Sequence, residues 1–60
     1  MQERIGQYCI EYTIGMPCAA VYMLGPKTRK GYRKILTVYY GTWNECIEWA
    51  ENHTKGDQNA

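Results

Sequence analysis

The sequence predicts an α+β protein, in which a three-stranded antiparallel meander is followed by one C-terminal helix packed on a face of the sheet (βββα). Three observations predict it: alternating apolar residues over 7–14, two further strand-like segments separated by short turns, and a helix-capping signal at Thr42. Consecutive strands with short connections usually pair, and an amphipathic helix buries its apolar stripe on the sheet. We expect residues 1–60 to form a single small domain.

The first predicted strand covers residues 7–14, where apolar and more polar residues alternate as in a half-buried strand. The residues of its apolar face are Tyr8, Ile10, Tyr12 and Ile14. Gly15 and Pro17 then predict a tight reversal of the chain. In a three-stranded meander this strand is an edge, and residues 8–14 contain no lysine or proline that would discourage pairing with another chain. A homodimer through the first strand is therefore one hypothesis.

Residues 18–24 are apolar at nearly every position, which is typical of a central strand covered on both faces. Residues 27–34 are predicted to form the next turn. Residues 35–40 are rich in β-branched and aromatic side chains and predict the third strand. Tyr39 and Tyr40 are neighbours on this strand and must point to opposite faces, so one of them is expected to face outward.

The predicted helix begins after Thr42, which forms a T-x-x-E capping box with Glu45. An apolar stripe follows at helical spacing. Its members are Trp43, Cys46, Ile47 and Ala50. Gly56 is the predicted stop of the helix, and residues 56–60 are expected to form a short, frayed polar tail.

Composition excludes several classes of protein. The net charge of +1 and the pI near 7.7 argue against a wholly basic nucleic-acid coat. Three cysteines, Cys9, Cys18 and Cys46, cannot all pair within one chain, and no hydrophobic signal segment opens the sequence, so we expect a reducing cytoplasm. No apolar run approaches the roughly 20 residues that span a bilayer, so no membrane partner is expected.

Signatures of catalysis and of metal binding are missing from the sequence. His53 is the only histidine, no CxxC or HxxxH spacing occurs, and no glycine-rich loop precedes a helix. Cys46 and His53 are seven residues apart, which is too far along a helix for the hydrogen bond that activates a thiolate. We therefore expect no enzyme, no cofactor and no metal site.

The charged feature with a definite location is a basic segment that holds five of the seven basic residues within eight positions. Its members are Lys27, Arg29, Lys30, Arg33 and Lys34, with Tyr32 among them. Clustered cations on a projecting turn can meet phosphates or an acidic protein surface, and Tyr32 can stack on a base. The simpler interpretation is a solvated turn whose charge keeps the protein soluble.

Aromatic residues are more numerous than one sheet face and one helix can bury. Trp49 lies to the side of the helix stripe, and Tyr40 is one of the neighbouring pair on the third strand. Tyrosine and tryptophan are common anchors of protein interfaces. Both residues are therefore candidates for contact with a partner, against the alternative that they pack at the rim of the core.

The sequence favours a non-enzymatic module that binds another protein with an acidic or mixed surface. A small regulator or inhibitor of the kind carried by phages and mobile elements is the expected type. Its expected contact residues are Lys27, Arg29, Lys30, Tyr32, Arg33, Lys34, Tyr40 and Trp49. Near-neutral charge and the aromatic excess favour this hypothesis over binding to nucleic acid. Three helix glutamates, Glu45, Glu48 and Glu51, are expected to repel DNA.

The alternative is a module that binds DNA or RNA through residues 27–34. Three strands, a basic connecting turn and a terminal helix with the run Thr42, Glu45 and Trp49 (T-x-x-E-x-x-x-W) loosely resemble the small arm-binding DNA domains of some phage integrases. The resemblance covers the architecture and these few helix residues. It implies contact with DNA, in which the cations of the turn would dominate.

Overall fold

The computed structural model describes residues 1–58, with the side chains of residues 1–54, as a four-stranded antiparallel sheet and one helix. The elements are β1 (Gln2–Ile5), β2 (Tyr8–Glu11), β3 (Ala19–Thr28), β4 (Gly31–Gly41) and α1 (Trp43–Gln58). The strands lie in the sheet in chain order, each antiparallel to the next. The predicted α+β class, the meander and the C-terminal helix are confirmed, and the sheet has one strand more than predicted.

The additional strand is β1, which pairs with β2 through a two-residue loop, Gly6 and Gln7. Gly6 has a φ of 59°, and glycine in the first loop position is the arrangement that two-residue hairpins favour. Because β1 lies on its other side, β2 is paired along both edges: Glu11 faces Gln2 in β1 and Ala20 in β3. The prediction that the first strand is an edge is therefore wrong, because the sheet edges are β1 and β4. Homodimerisation stays a prediction.

The strand predicted over residues 7–14 is shorter, since β2 ends at Glu11. Ile14 was expected on the apolar face and is instead 96% exposed. The predicted reversal is confirmed: Gly15 has a φ of 101°, and the Met16 amide donates a 3.0 Å hydrogen bond to the Thr13 carbonyl.

The β3–β4 hairpin is longer than predicted, because most of the segment 27–34 belongs to strands. Only Arg29 and Lys30 form the loop between Thr28 and its partner Gly31. The Thr28 hydroxyl accepts a hydrogen bond from the Lys30 amide (3.3 Å) and donates one to the Gly31 carbonyl (2.7 Å), which closes the turn. The register shifts three times along this hairpin, and shifts of this kind bend and twist a strand pair.

Helix α1 begins with the predicted capping box. The Thr42 amide donates to Glu45 Oε1 at 2.9 Å, and the Glu45 amide donates to Thr42 Oγ1 at 3.2 Å. The helix continues to Gln58, so the predicted stop at Gly56 is wrong. The last two residues, 59–60, lie outside the described part of the chain, and the fraying predicted for 56–60 stays a prediction.

The core lies between α1 and one face of the sheet, which we call the helix face. The predicted helix stripe is confirmed, with Cys46 and Ala50 fully buried and Trp43 and Ile47 packed at the margin. The sheet contributes Tyr8, Ile10, Ala19 and Val21. The opposite face of the sheet, which we call the open face, has no helix on it in the described chain.

Candidate interaction surface

Residues 27–34 form the end of the β3–β4 hairpin, which we call the basic arm. Four of its cations are exposed and have no ion pair among the described side chains. They are Lys27, Arg29, Lys30 and Arg33. Unpaired exposed cations can exchange their counterions for an anionic partner without first breaking a contact.

Among the side chains that the structure describes, Lys34 is the one cation of the basic arm with an ion pair. Its Nζ lies 2.6 Å from Glu11 Oε1 and 4.6 Å from the centroid of the Tyr22 ring, all on the open face. The hydrogen bond from Lys34 lowers the pKa of the Glu11 carboxyl, and the same bond raises the pKa of the Lys34 ammonium. Since Glu11 is on β2 and Lys34 on β4, the pair reaches across β3.

Arg4 lies on β1, the strand that the sequence did not predict, and contacts the basic arm from the opposite edge of the sheet. Its guanidinium carbon lies 3.8 Å from the centroid of the Tyr32 ring, and its Nε donates a 3.1 Å hydrogen bond to the Gly6 carbonyl. A hydrogen bond from the Arg4 side chain to the Tyr32 hydroxyl, together with the charge of Arg4, lowers the pKa of that hydroxyl. The two edge strands are thus in contact, because the bent arm curls across the open face.

A concavity of about 460 Å³ lies beneath this contact, and we call it the cradle. It is lined by Gln2, Glu3, Arg4, Cys9, Leu24, Lys30, Tyr32 and Lys34. Cys9 and Leu24 are half-buried and apolar, whereas three cations line the same space. Burial raises the pKa of the Cys9 thiol, and the nearby Lys34 ammonium opposes this. The cradle therefore combines an apolar floor with a cationic rim.

β4 also carries most of the exposed apolar side chains. Four of the six large apolar residues that are exposed among the described residues lie on this strand. They are Tyr32, Ile35, Leu36 and Tyr40. Ile35 and Leu36, which we call the aliphatic pair, are 53% and 49% exposed. Leu36 pairs in register with Met23, itself opposite Tyr8, which places it on the helix face next to the core.

The two neighbouring tyrosines of β4 point in opposite directions, as predicted. Tyr39 packs against the core, and Tyr40 is 63% exposed on the open face. Tyr40 is remote from the basic arm, since it pairs with Ala20 near the opposite end of the hairpin.

Trp49 lies in an aromatic cluster rather than on a free surface. Its ring centroid is 5.1 Å from that of Tyr8 in an edge-on contact and 5.6 Å from that of Tyr39 in a stacked one. His53 stacks on it at 3.6 Å and contacts the Trp49 carbonyl through Nδ1 at 2.8 Å. Trp49 is half-buried against the core, so its predicted use as an outward-facing anchor is not favoured by this packing.

The structure therefore brings together six of the eight expected contact residues, those of the basic arm, and separates Tyr40 and Trp49 from them. Sequence reasoning missed Arg4, Ile35 and Leu36. The signal for Arg4 was Gly6, a hairpin residue that places the preceding segment on the sheet. The aliphatic pair carried no sequence signal, because its apolar character was consistent with a core strand.

Comparisons with protein-family models, with curated proteins and with solved structures find no significant match to this chain. The described residues include no group of three or more histidine, cysteine, aspartate or glutamate side chains placed to hold a metal ion. The described helix is not long and apolar enough to cross a membrane.

Proposed function

We propose that this chain is a non-enzymatic protein-binding module that docks through β4, with the aliphatic pair at the centre of the contact and the basic arm facing an acidic region of the partner. One observation carries the proposal: Ile35 and Leu36 are half exposed, and Arg33, which alternates with Tyr32 and Lys34 of the open face, lies on the same helix side of β4 as Leu36. An apolar centre bordered by charge is the usual anatomy of a protein interface.

The aliphatic pair favours a protein over a nucleic acid as the partner at this surface. Ile35 and Leu36 carry no charge or hydrogen-bonding group that a phosphate backbone could use. Covering them with apolar protein surface stabilises the complex by roughly 25 cal/mol per Å² of apolar area buried. Exposed apolar side chains that are contiguous, rather than scattered, commonly mark such a site.

The form of β4 indicates contact through side chains rather than addition of a strand. The register shifts put an additional residue on β4 between Lys34 and Leu36 and another between Thr37 and Tyr39. Bulges of this kind interrupt the regular row of backbone groups and protect an edge strand from pairing. The partner is therefore expected to present a complementary surface, with acidic groups near Arg33 and an apolar pocket for Leu36.

The basic arm contributes mainly to the rate and specificity of association. Exposed charges steer an oppositely charged partner and are screened by salt, so their effect falls with ionic strength. The apolar contact is much less sensitive to salt. A partner that docks as proposed will bind more slowly in high salt but will still depend on Leu36.

The test is affinity capture from lysate of the source cells, with and without nuclease treatment, using the tagged wild type, Leu36→Ser and Ile14→Ser. Ile14 is the matched control, since it is an exposed aliphatic residue outside β4. A protein retained by the wild type and by Ile14→Ser but lost from Leu36→Ser supports the proposal. Equal capture by all three proteins contradicts it, as does capture that disappears on nuclease treatment. Circular dichroism verifies that each variant is folded.

A further inference from the structure

We propose that the cradle binds a nucleotide unit of a single-stranded nucleic acid, with the base against Tyr32 and the phosphates between Arg4 and Lys30. The site lies on the open face, whereas the aliphatic pair lies on the helix side of β4. The inference therefore does not rest on the proposed protein contact, and the two can be tested by separate substitutions.

Three basic side chains surround the cradle. Arg4, Lys30 and Lys34 come from β1, the hairpin loop and β4, and line one concavity. The carboxylates near them are Glu3, which also lines the cradle, and Glu11, which is held by Lys34 at 2.6 Å. The cradle thus retains a net positive charge, which favours an anion.

The glutamates of α1 do not oppose an anion at this site. Glu45, Glu48 and Glu51 were expected to repel nucleic acid, but they belong to the helix on the other face of the sheet. The sheet lies between these carboxylates and the cradle, and salt further weakens repulsion between exposed charges. The near-neutral overall charge of the protein is therefore no argument against binding of a nucleic acid on the open face.

The Tyr32 ring offers a surface on which a base can stack. Arg4 covers one side of Tyr32 at 3.8 Å, yet the residue stays 42% exposed, which leaves ring surface for a base. Bases stack on aromatic side chains with little dependence on sequence. Leu24 and Cys9 supply an apolar floor, and the volume of the cradle lies within the range of about 300–1,000 Å³ typical of small-molecule sites.

A strand is favoured over a free nucleotide because the cations continue beyond the cradle. Lys27 pairs with Tyr32 and so shares the open face, Arg29 lies in the adjoining loop, and both are exposed without ion pairs among the described side chains. They extend a cationic path along which further phosphates can lie. Such a path beside a stacking ring is the combination by which single strands are bound.

The experiment measures fluorescence anisotropy of a labelled oligothymidylate of about twelve nucleotides, within the site sizes typical of single-strand binding. Thymidine monophosphate, polyglutamate and the unlabelled oligonucleotide are the competitors. Titrations are made at about 50 and 200 mM salt, a range over which phosphate contacts weaken measurably. The variants are Tyr32→Leu, Lys30→Gln and Glu11→Gln. Their controls are Tyr40→Leu, an exposed tyrosine outside the cradle, and Glu48→Gln, which removes one negative charge from the opposite face.

We expect salt-sensitive binding that Tyr32→Leu weakens by about tenfold and Tyr40→Leu leaves unchanged. Lys30→Gln should reduce the slope of log affinity against log salt by about 0.7, the value for one contact to a single strand. Glu11→Gln should tighten binding, because it frees Lys34 for a phosphate, while Glu48→Gln should not.

Four results would overturn the proposal in whole or in part. The first is no binding at the lower salt concentration, and the second is equal loss in Tyr32→Leu and Tyr40→Leu. The third is competition by polyglutamate as effective as by unlabelled oligonucleotide, which would show a general anion site. Binding of thymidine monophosphate as tight as that of the oligonucleotide would overturn the assignment to a strand. The variants Leu36→Ser and Ile14→Ser should leave oligonucleotide binding intact, which separates this result from the protein contact.

Discussion

Glu11 and Lys34 form an ion pair that joins two strands which are not neighbours in the sheet. The carboxylate on β2 and the ammonium on β4 meet 2.6 Å apart over the Tyr22 ring of β3. The Gln2 side chain approaches the same carboxylate at 3.4 Å. The pair thereby connects β2, β3 and β4 on the open face.

Replacing Glu11 by glutamine is expected to make stability less dependent on pH in the acid range. The folded pKa of Glu11 is lowered, mainly by the hydrogen bond from Lys34. The stabilisation is therefore present above the ordinary carboxyl pKa and is lost as the pH falls through the lowered value. Since the Lys34 and Glu11 side chains are 43% and 23% exposed, we expect a loss below about 1 kcal/mol near pH 7.

Urea unfolding of the wild type and Glu11→Gln at about pH 7 and about pH 3 checks this expectation. The difference in the free energy of unfolding between the two proteins should be smaller at the lower pH. Glu48→Gln is the control, because Glu48 has no ion pair among the described side chains. A difference that persists unchanged in acid would show that Glu11 acts through packing instead.

Replacing Trp49 by alanine is expected to destabilise the fold rather than to affect a partner alone. The half-buried ring contacts Tyr8, Tyr39 and His53, and losing this apolar burial is expected to cost about 2 kcal/mol. A chain of this size has little stability to lose. Tyr40→Ala, at an exposed ring, should change the free energy of unfolding by less than about 0.5 kcal/mol. Thermal unfolding followed by circular dichroism compares the two, and similar midpoints would contradict the packing role.

Replacing Gly6 by alanine should be destabilising for two separable reasons. The φ of 59° costs an L-residue about 1 kcal/mol, and the added Cβ would lie 2.6 Å from Thr54 Oγ1. Thr54 Oγ1 is buried without a hydrogen-bond partner, so Thr54→Ala should be close to neutral. The double variant should recover the part of the loss due to the clash. Chemical denaturation of the three variants measures each part, and failure of Thr54→Ala to rescue would assign the whole cost to the backbone.

Local signals in the sequence predicted those parts of the fold that depend on neighbouring residues. The capping box at Thr42 and the stripe containing Cys46 are local patterns, and both are confirmed. β1 was missed because residues 2–5 are polar apart from Ile5 and do not alternate. Its strand conformation depends on pairing with β2. The only local sign was Gly6, whose positive φ makes the hairpin loop.

The candidate site was predictable in composition but not in shape. The clustering of Arg29, Lys30 and Arg33 was visible in the sequence. The curl that brings Arg4 to Tyr32 was not, since it follows from register shifts that depend on how β3 and β4 pack. The exposure of Leu36 likewise depends on the extent of the sheet that α1 covers, which no local pattern specifies.

The three cysteines should differ in their reaction with iodoacetamide. Cys46 is fully buried beneath α1, whereas Cys9 and Cys18 are half-buried. Burial also raises the pKa of Cys46 and of Cys9, and only the thiolate reacts. In the native protein we expect modification of Cys9 and Cys18 to precede that of Cys46, which should react only as the protein unfolds. Peptide mass spectrometry at increasing urea concentration follows each site. Rapid native modification of Cys46 would contradict its placement in the core, and Ala50→Ser, which loosens the same stripe, should bring its reaction to lower urea.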